Sequence, residues 1–256
     1  MKYNRKGLRN IAIVTVAFLA MLVNSCKKDE TTAVVVVQPE TDSITDGEGN
    51  VYKTVKIGNQ WWMAENLRVT MYRDSTFILK IKSTYSDTMY WNNDVSGAYC
   101  SFDMDDNPDA PGWLYNWYAV ANIKNIAPPG WHVPTDDEWK TLEKQLGMSQ
   151  ADADKFGWRG THEGEKLRIA SPDVWTIYGD VWSTNESGFT ALAGGCRTLN
   201  GEFSKPRDLG SMGFWWTATD NGAGEAYYRY LDYKNANVYR SHVSKNYGCS
   251  VRLVKD

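Results

Sequence analysis

The stretch GWHVPTDDEW, residues 130–139, decides how the chain is read. Its second half is a helix start. Thr135, followed three residues later by Glu138, forms a capping box that satisfies amides the first helical turn leaves unpaired. Pro134 holds Val133 in extended backbone just ahead of the cap. A helix is expected from Asp136 to about Leu146, with Trp139, Leu142 and Leu146 on one face and Gly147 as its stop. Trp131 is expected to fill core volume, and His132 to be a structural residue ahead of the helix and not a catalytic one.

On either side of this helix the patterning changes. Upstream, GWLYNWYAVANI (112–123) places Leu114, Trp117, Tyr118 and Ala121 at helical spacing. Downstream, a third short helical piece is expected after Ser149, ending before Gly157. Further upstream Val51, Val55 and Ile57 alternate with polar residues, Gly58-Asn59 supplies a two-residue turn, and Gln60 to Met63 returns with Trp61 and Trp62 on opposite faces. The C-terminal third reads as short strands: GFWWTATD (213–220), EAYYRYLDY (225–233), ANVYRSHV (236–243) and CSVRLV (249–254). Two or three helices among short antiparallel strands predict an α+β domain. Neither GxGxxG nor GxxxxGK[ST] occurs, so a nucleotide-binding sheet is not expected.

The 256 residues are long enough for one large or two small domains. A net charge of −3 provides no basic face for phosphates, which excludes nucleic acid as the expected partner. The aromatic content of 13%, with 12 Trp and 15 Tyr, is of the kind found in binding surfaces.

The N-terminus carries an address. Lys2, Arg5, Lys6 and Arg9 precede an apolar run from Ile11 to Leu22 that is too short to span a bilayer comfortably, which reads as a signal peptide. It ends in LVNSC (22–26), which resembles a bacterial lipobox with Cys26 as the lipidated residue. Lys27-Lys28-Asp29-Glu30 is similar to the export signal of surface lipoproteins of the Bacteroidetes group. The expected organisation is a signal peptide over 1–25, a lipidated tether over 26–45 and a domain over 46–256. The expected location is the outer membrane, lipid-anchored and facing the exterior. Three further cysteines, Cys100, Cys196 and Cys249, allow at most one internal disulfide, and Cys196 with Cys249 is the expected pairing.

In order along the chain stand GNVYKTVKIGNQWWMAENL, LYNWYAV, GWHVPTDDEW, GWRGTHEG, KLR, NESGFTALAGG, FWWTAT, AYYRYL and GCSVRLVKD. Together they resemble the Fibrobacter succinogenes major paralogous domain, over nearly everything from Asp46 to Asp256. The resemblance implies a fold similar to C-type lectin-like domains and to the formylglycine-generating sulfatase-modifying domain, with an irregular long-loop region. Fold alone does not carry function.

Catalytic constellations are scarce. His132, His162 and His242 stand in no HExxH or HxH arrangement, and no Ser sits in a GxSxG elbow. No catalytic residue is expected, and the protein is read as a non-enzyme. The alternatives are a formylglycine-generating-type oxidoreductase and a structural or tip subunit of a surface assembly. Asp103, Asp105, Asn107 and Asp109 alternate as oxygen ligands do in calcium loops, although Pro108 replaces the usual turn glycine, so Ca2+ is the one candidate cofactor. The segment 217–248 is rich in Asn, Tyr, Asp, Arg and Ser, which provide contact area and directed hydrogen bonds. Asp220, Asn221, Glu225, Tyr233, Asn235, Asn237, Tyr239 and His242 are the candidate contacts for a glycan or protein ligand.

Overall fold

The alternation of Val51, Val55 and Ile57 produces strand β2 (Val51–Ile57), which turns at Gly58 and Asn59 into β3 (Gln60–Met63), with Val55 opposite Trp62. The computed structural model describes residues 39–82, 90–93, 95–101, 112–203 and 210–256. The signal segment, Cys26 and the four candidate calcium ligands Asp103, Asp105, Asn107 and Asp109 lie outside the described residues. One compact unit runs from Gln38 to Asp256.

The sheet of β2 and β3 begins earlier than its sequence suggests. Strand β1 (Thr41–Thr45) pairs antiparallel with β2 along its whole length, Ile44 facing Tyr52. These residues were expected in the tether. They are polar and largely exposed because β1 is an edge strand, where one face and one edge meet water. At the opposite side β12 (Val254–Lys255) lies between β3 and β7 (Trp131–His132), giving the order β1-β2-β3-β12-β7. A small sheet joins β4 (Leu79–Lys80), β5 (Ala98–Cys100) and β6 (Leu114–Tyr115). The third sheet has the order β8-β11-β10-β9, with β8 at Gly157–Arg159, β9 at Met212–Gly222, β10 at Glu225–Asp232 and β11 at Val238–Ser244.

Helices are short. α1 covers only Trp117–Val120, capped by Asn116, whose side chain accepts from the Ala119 amide. Leu114, expected on that helix, instead pairs with Cys100 in β6. α2 (Asp136–Gln145) carries the expected capping box between Thr135 and Glu138, and α3 (Gln150–Ala153) starts at Ser149. α4 (Glu163–Leu167) has no counterpart in the sequence reading. The run CSVRLV is not one strand. Cys249 bridges Tyr115, Ser250 bridges Trp215, and only Val254 enters the five-stranded sheet. The described fold is α+β, mainly antiparallel β.

Strand periodicity feeds two cores at once. Trp62 and Met63 point to opposite faces of β3, and both are buried. Trp62 joins Val55, Trp139, Leu142, Phe189 and Trp215. Met63 joins Tyr52, Leu67, Tyr115, Trp131 and Trp216. Trp62 meets Trp139 edge-on at 5.1 Å, and Phe189 lies 5.5 Å from Trp139. Burying each such ring contributes roughly 3 kcal/mol of transfer free energy.

The opening stretch now has its explanation. Trp131 is a core residue, and His132 is a clamp: its Nδ1 lies 2.6 Å from Oδ1 of Asp256 and its Nε2 2.8 Å from Oε1 of Glu138. It therefore ties the helix cap to the strand beside it. Burial pushes the imidazole down, but its hydrogen bonds to Asp256 and Glu138 and their charges outweigh this and leave the group above its ordinary 6.5. A raised folded value adds stability that is complete below the unfolded value and is lost as pH rises through the folded one. The stability difference between the wild type and His132→Asn should thus be largest near pH 6 and shrink towards alkaline pH, read as urea midpoints across that range. A difference that grows with pH would remove the clamp as its cause.

Candidate functional site

The four-stranded sheet has two chemically different faces. On one, Arg229 of β10 and Arg240 of β11 are paired in register and reach the buried start of α2. Asp136 accepts from Arg229 Nη1 at 2.7 Å and from Arg240 Nη2 at 2.8 Å. Glu143, two turns further along the same face of α2, accepts from Arg229 Nε at 2.7 Å and from Arg159 Nη2 at 2.9 Å. Burial alone would raise the Asp136 carboxyl, but the bonds and charge of Arg240 and Arg229 hold it well below the usual carboxylate range. Asp136 and Glu143 pair with Arg159, Arg229 and Arg240, so the cluster fastens α2 to the sheet.

On the other face an aromatic row crosses all four strands. Phe214 faces Tyr230, Tyr230 faces Tyr239 and Tyr239 faces Trp158 in register. Neighbouring rings are 4.5, 5.8 and 5.2 Å apart. The first contact is stacked and the other two are edge-on, which packs the rings against each other. Tyr239, a candidate contact, belongs to this row.

The remaining candidate contacts divide between the two ends of the sheet, roughly 25 Å apart along β10. At one end, Asp220 is held by Lys245 Nζ at 2.7 Å and itself accepts from the Gly222 amide, with Asn221 between them in β9. Glu225 lies 2.6 Å from Nδ1 of His242, beside Phe156 and Tyr227. At the other end, Asn237 donates to the Gly160 carbonyl and Asn235 gives its own carbonyl to Arg168. Tyr233 packs edge-on against Tyr178 at 5.6 Å. The eight residues do not form one patch.

Tyr233 leads to the site that sequence reasoning passed over. The irregular segment after α4 presents Ile177, Tyr178 and Trp182 to solvent, at 58%, 50% and 58% exposure. Ile177 and Trp182, with Pro172, Trp175 and Val181, surround a mostly apolar cleft of about 240 Å³, and Tyr178, next to Ile177 in sequence, packs against Tyr233. Exposed large apolar side chains gathered in one place mark an interaction site more often than chance.

The backbone beneath this loop is fixed. Arg168, buried at the end of α4, donates to the carbonyls of Asp232 (2.5 Å), Asn235 (3.2 Å) and Trp182 (3.3 Å). One guanidinium thus joins the β10–β11 turn to the aromatic loop. Burial pushes it down to about 10, against the favourable charges of Glu165 and Asp232. Glu165 accepts from the Trp182 amide at 3.0 Å, and its carbonyl accepts from the Thr184 amide at 2.9 Å. Gly164 permits this arrangement: a Cβ there would collide with the Asn237 carbonyl oxygen, so only glycine lets α4 approach the turn. The indole of Trp182 is therefore exposed on a rigid support.

A second cleft, of about 180 Å³, lies between Asp46, Glu48, Tyr72, Arg73 and Pro128. Its polar groups are already used: Glu48 accepts from the Thr70 and Met71 amides, and Arg73 donates to the Ala127 and Pro128 carbonyls. Among the described residues no group of three or more His, Cys, Asp or Glu is placed to hold a metal ion. Among the same residues no helix is long and apolar enough to cross a membrane, which leaves β-barrels unaddressed.

Fold and site together define an α+β domain that displays a rigidly supported aromatic loop. The chain matches the Fibrobacter succinogenes major domain over residues 55–255, and it belongs to that family. No curated protein and no solved structure matches it.

Proposed function

We propose that this protein is a surface lipoprotein whose domain binds a glycan or protein ligand and catalyses no reaction. In this reading residues 1–25 direct export, Cys26 carries the lipid, and the tether holds the domain at the outer membrane, facing the exterior. The domain is C-type lectin-like, and the irregular segment 168–203 is its long-loop region. The carrying observation is Trp182, an indole 58% exposed on a backbone that Arg168 and Glu165 hold in place. Such a ring loses little freedom on binding, and Tyr178, Tyr233 and Ile177 extend its apolar surface. A sugar ring suits the arrangement because aromatic faces take its apolar side while neighbouring polar groups fix its hydroxyls. Calcium held by Asp103, Asp105, Asn107 and Asp109 is part of the proposal as a structural ion.

The test is a glycan array probed with the unit Gln38–Asp256, which retains β1, with calcium and again with EDTA. Binding is expected, and Trp182→Ala should weaken it by about 2 kcal/mol, roughly thirty-fold, while leaving the melting temperature unchanged. Loss of signal and a lower melting temperature in EDTA would support the calcium loop. Binding that ignores Trp182→Ala would remove the loop as the site, and silence across the array would turn the search to protein ligands.

A further inference from the structure

We infer that Cys196 and Cys249 close a disulfide between two neighbouring segments, while Cys100 remains a thiol. The register decides it. Arg197 and Gly248 exchange both backbone hydrogen bonds, Arg197 N donating to the Gly248 carbonyl at 2.9 Å and Gly248 N to the Arg197 carbonyl at 2.7 Å. An antiparallel pair that exchanges both bonds is flanked by pairs that exchange none. Here the flanking residues, one before Arg197 and one after Gly248, are Cys196 and Cys249. Such pairs bring Cα atoms to about 4.5 Å with both side chains on one face. A disulfide requires roughly 4.4–6.8 Å.

Both positions are held from outside the pair. Cys249 exchanges two backbone bonds with Tyr115, at 3.0 and 2.9 Å, and the Gly195 amide donates to the Met212 carbonyl at 2.8 Å. In this structure Cys196 and Cys249 are both thiols, and both are buried. Burial raises the Tyr247 hydroxyl, and the charges of Cys196 and Cys249 raise it further. Cys100 cannot compete. Arg197 points to the face opposite Cys196, because successive side chains alternate along an extended segment. Burial pushes the Cys100 thiol up to about 11, against the nearby Arg197 charge, and Cys100 packs with Ile81, Trp91 and Leu114 in a separate cluster.

The oxidant is a small-molecule disulfide such as oxidised glutathione. One cysteine thiolate attacks it, forming a mixed disulfide and releasing one glutathione thiolate. The second cysteine, as thiolate, then attacks the protein-bound sulfur and releases the other. One protein S–S bond forms and one glutathione S–S bond breaks. Two electrons reduce the glutathione, and the two thiol protons pass through solvent to its thiolates. Because both sulfurs are buried, exchange takes place before the core closes, and the finished bond is shielded afterwards.

The full chain, reduced in urea and refolded in detergent with oxidised and reduced glutathione, tests this by alkylation and non-reducing peptide mapping. The expected map joins the peptides of Cys196 and Cys249 and shows Cys100 alkylated, in the wild type and in Cys100→Ser alike. Reduction of the linked protein should lower its melting temperature by about 10 °C. A wild-type map with Cys196 and Cys249 both alkylated, or with Cys100 in the linkage, would overturn the inference. The wild-type map decides even where a cysteine variant fails to refold.

Discussion

Replacing Asp136 with alanine is expected to destabilise the domain by about 3–5 kcal/mol, the usual consequence of leaving a buried ion unpaired. The carboxylate accepts from Arg229 at 2.7 Å and from Arg240 at 2.9 and 2.8 Å. Without it Arg240 keeps only the carbonyls of Asp154 and Lys155, each at 3.3 Å, and Arg229 keeps Glu143. The start of α2 also loses its fastening to the sheet. Urea denaturation should show a lower midpoint at an unchanged slope, because the surface exposed on unfolding stays the same. Removing Arg229 as well, with methionine in its place, should recover part of the loss, since an apolar pair of similar volume leaves one fewer charge stranded.

The same carboxylate sets an acid limit. Its folded value is depressed below the ordinary 3.8, so its contribution is complete above that pH and disappears as pH falls through the folded value. The wild type should lose this stability only below about pH 4, whereas Asp136→Asn should show a shallower decline over the same range. An equal decline in both proteins would place the acid sensitivity elsewhere.

Arg252→Met is the second large effect, expected at on the order of 4 kcal/mol for several stranded acceptors. Arg252 is fully buried, and the charge of Glu65 only partly offsets the desolvation that pushes it down to about 9. It donates instead to neutral oxygens: Asn66 Oδ1 at 2.6 Å, Met63 at 2.9 Å, Phe189 at 2.8 Å and Thr190 at 2.9 Å. Thr190 is a β-branched residue at φ 59°, a strained left-handed backbone that the arginine helps to hold. Methionine fills the volume and satisfies none of the carbonyls. Lysine keeps the charge but lacks the planar fork, so Arg252→Lys should recover little. Full recovery by lysine, measured as a urea midpoint, would show that charge and not geometry is what the site requires.

Local chemistry was legible in the sequence. The β2–β3 hairpin and the Thr135–Glu138 box each depend on residues a few positions apart, and both stand where the sequence put them. α4 was hidden because GTHEGEKLR has no helical periodicity. It forms where Gly164 can approach the β10–β11 turn and the Glu165 amide can donate to the Ala236 carbonyl. Leu114 left its helical pattern because β5 offered it a partner. Composition drew attention to the C-terminal strands and so to Tyr233. It could not reveal that Asn235 and Asn237 are occupied in holding a turn. Trp182 carried a signal that went unused: a tryptophan amid Gly, Asp, Ser and Asn has no obvious core to enter. The buried arginines were the least legible, because their acceptors are carbonyls from segments far apart in the chain.

The position of β12 between β3 and β7 bears on how the domain is made. The central sheet is completed by Val254, a residue separated by most of the domain from its partner Trp62. Pairings so distant in sequence are slow to form, because a large loop must close before any bond repays it. During synthesis nearly the whole domain emerges while β3 and β7 each present an unpaired edge towards the other. Such edges invite pairing with other chains. Until that last strand arrives the nascent domain needs to be kept extended or shielded, and its final residues act as the latch that ends its susceptibility to aggregation.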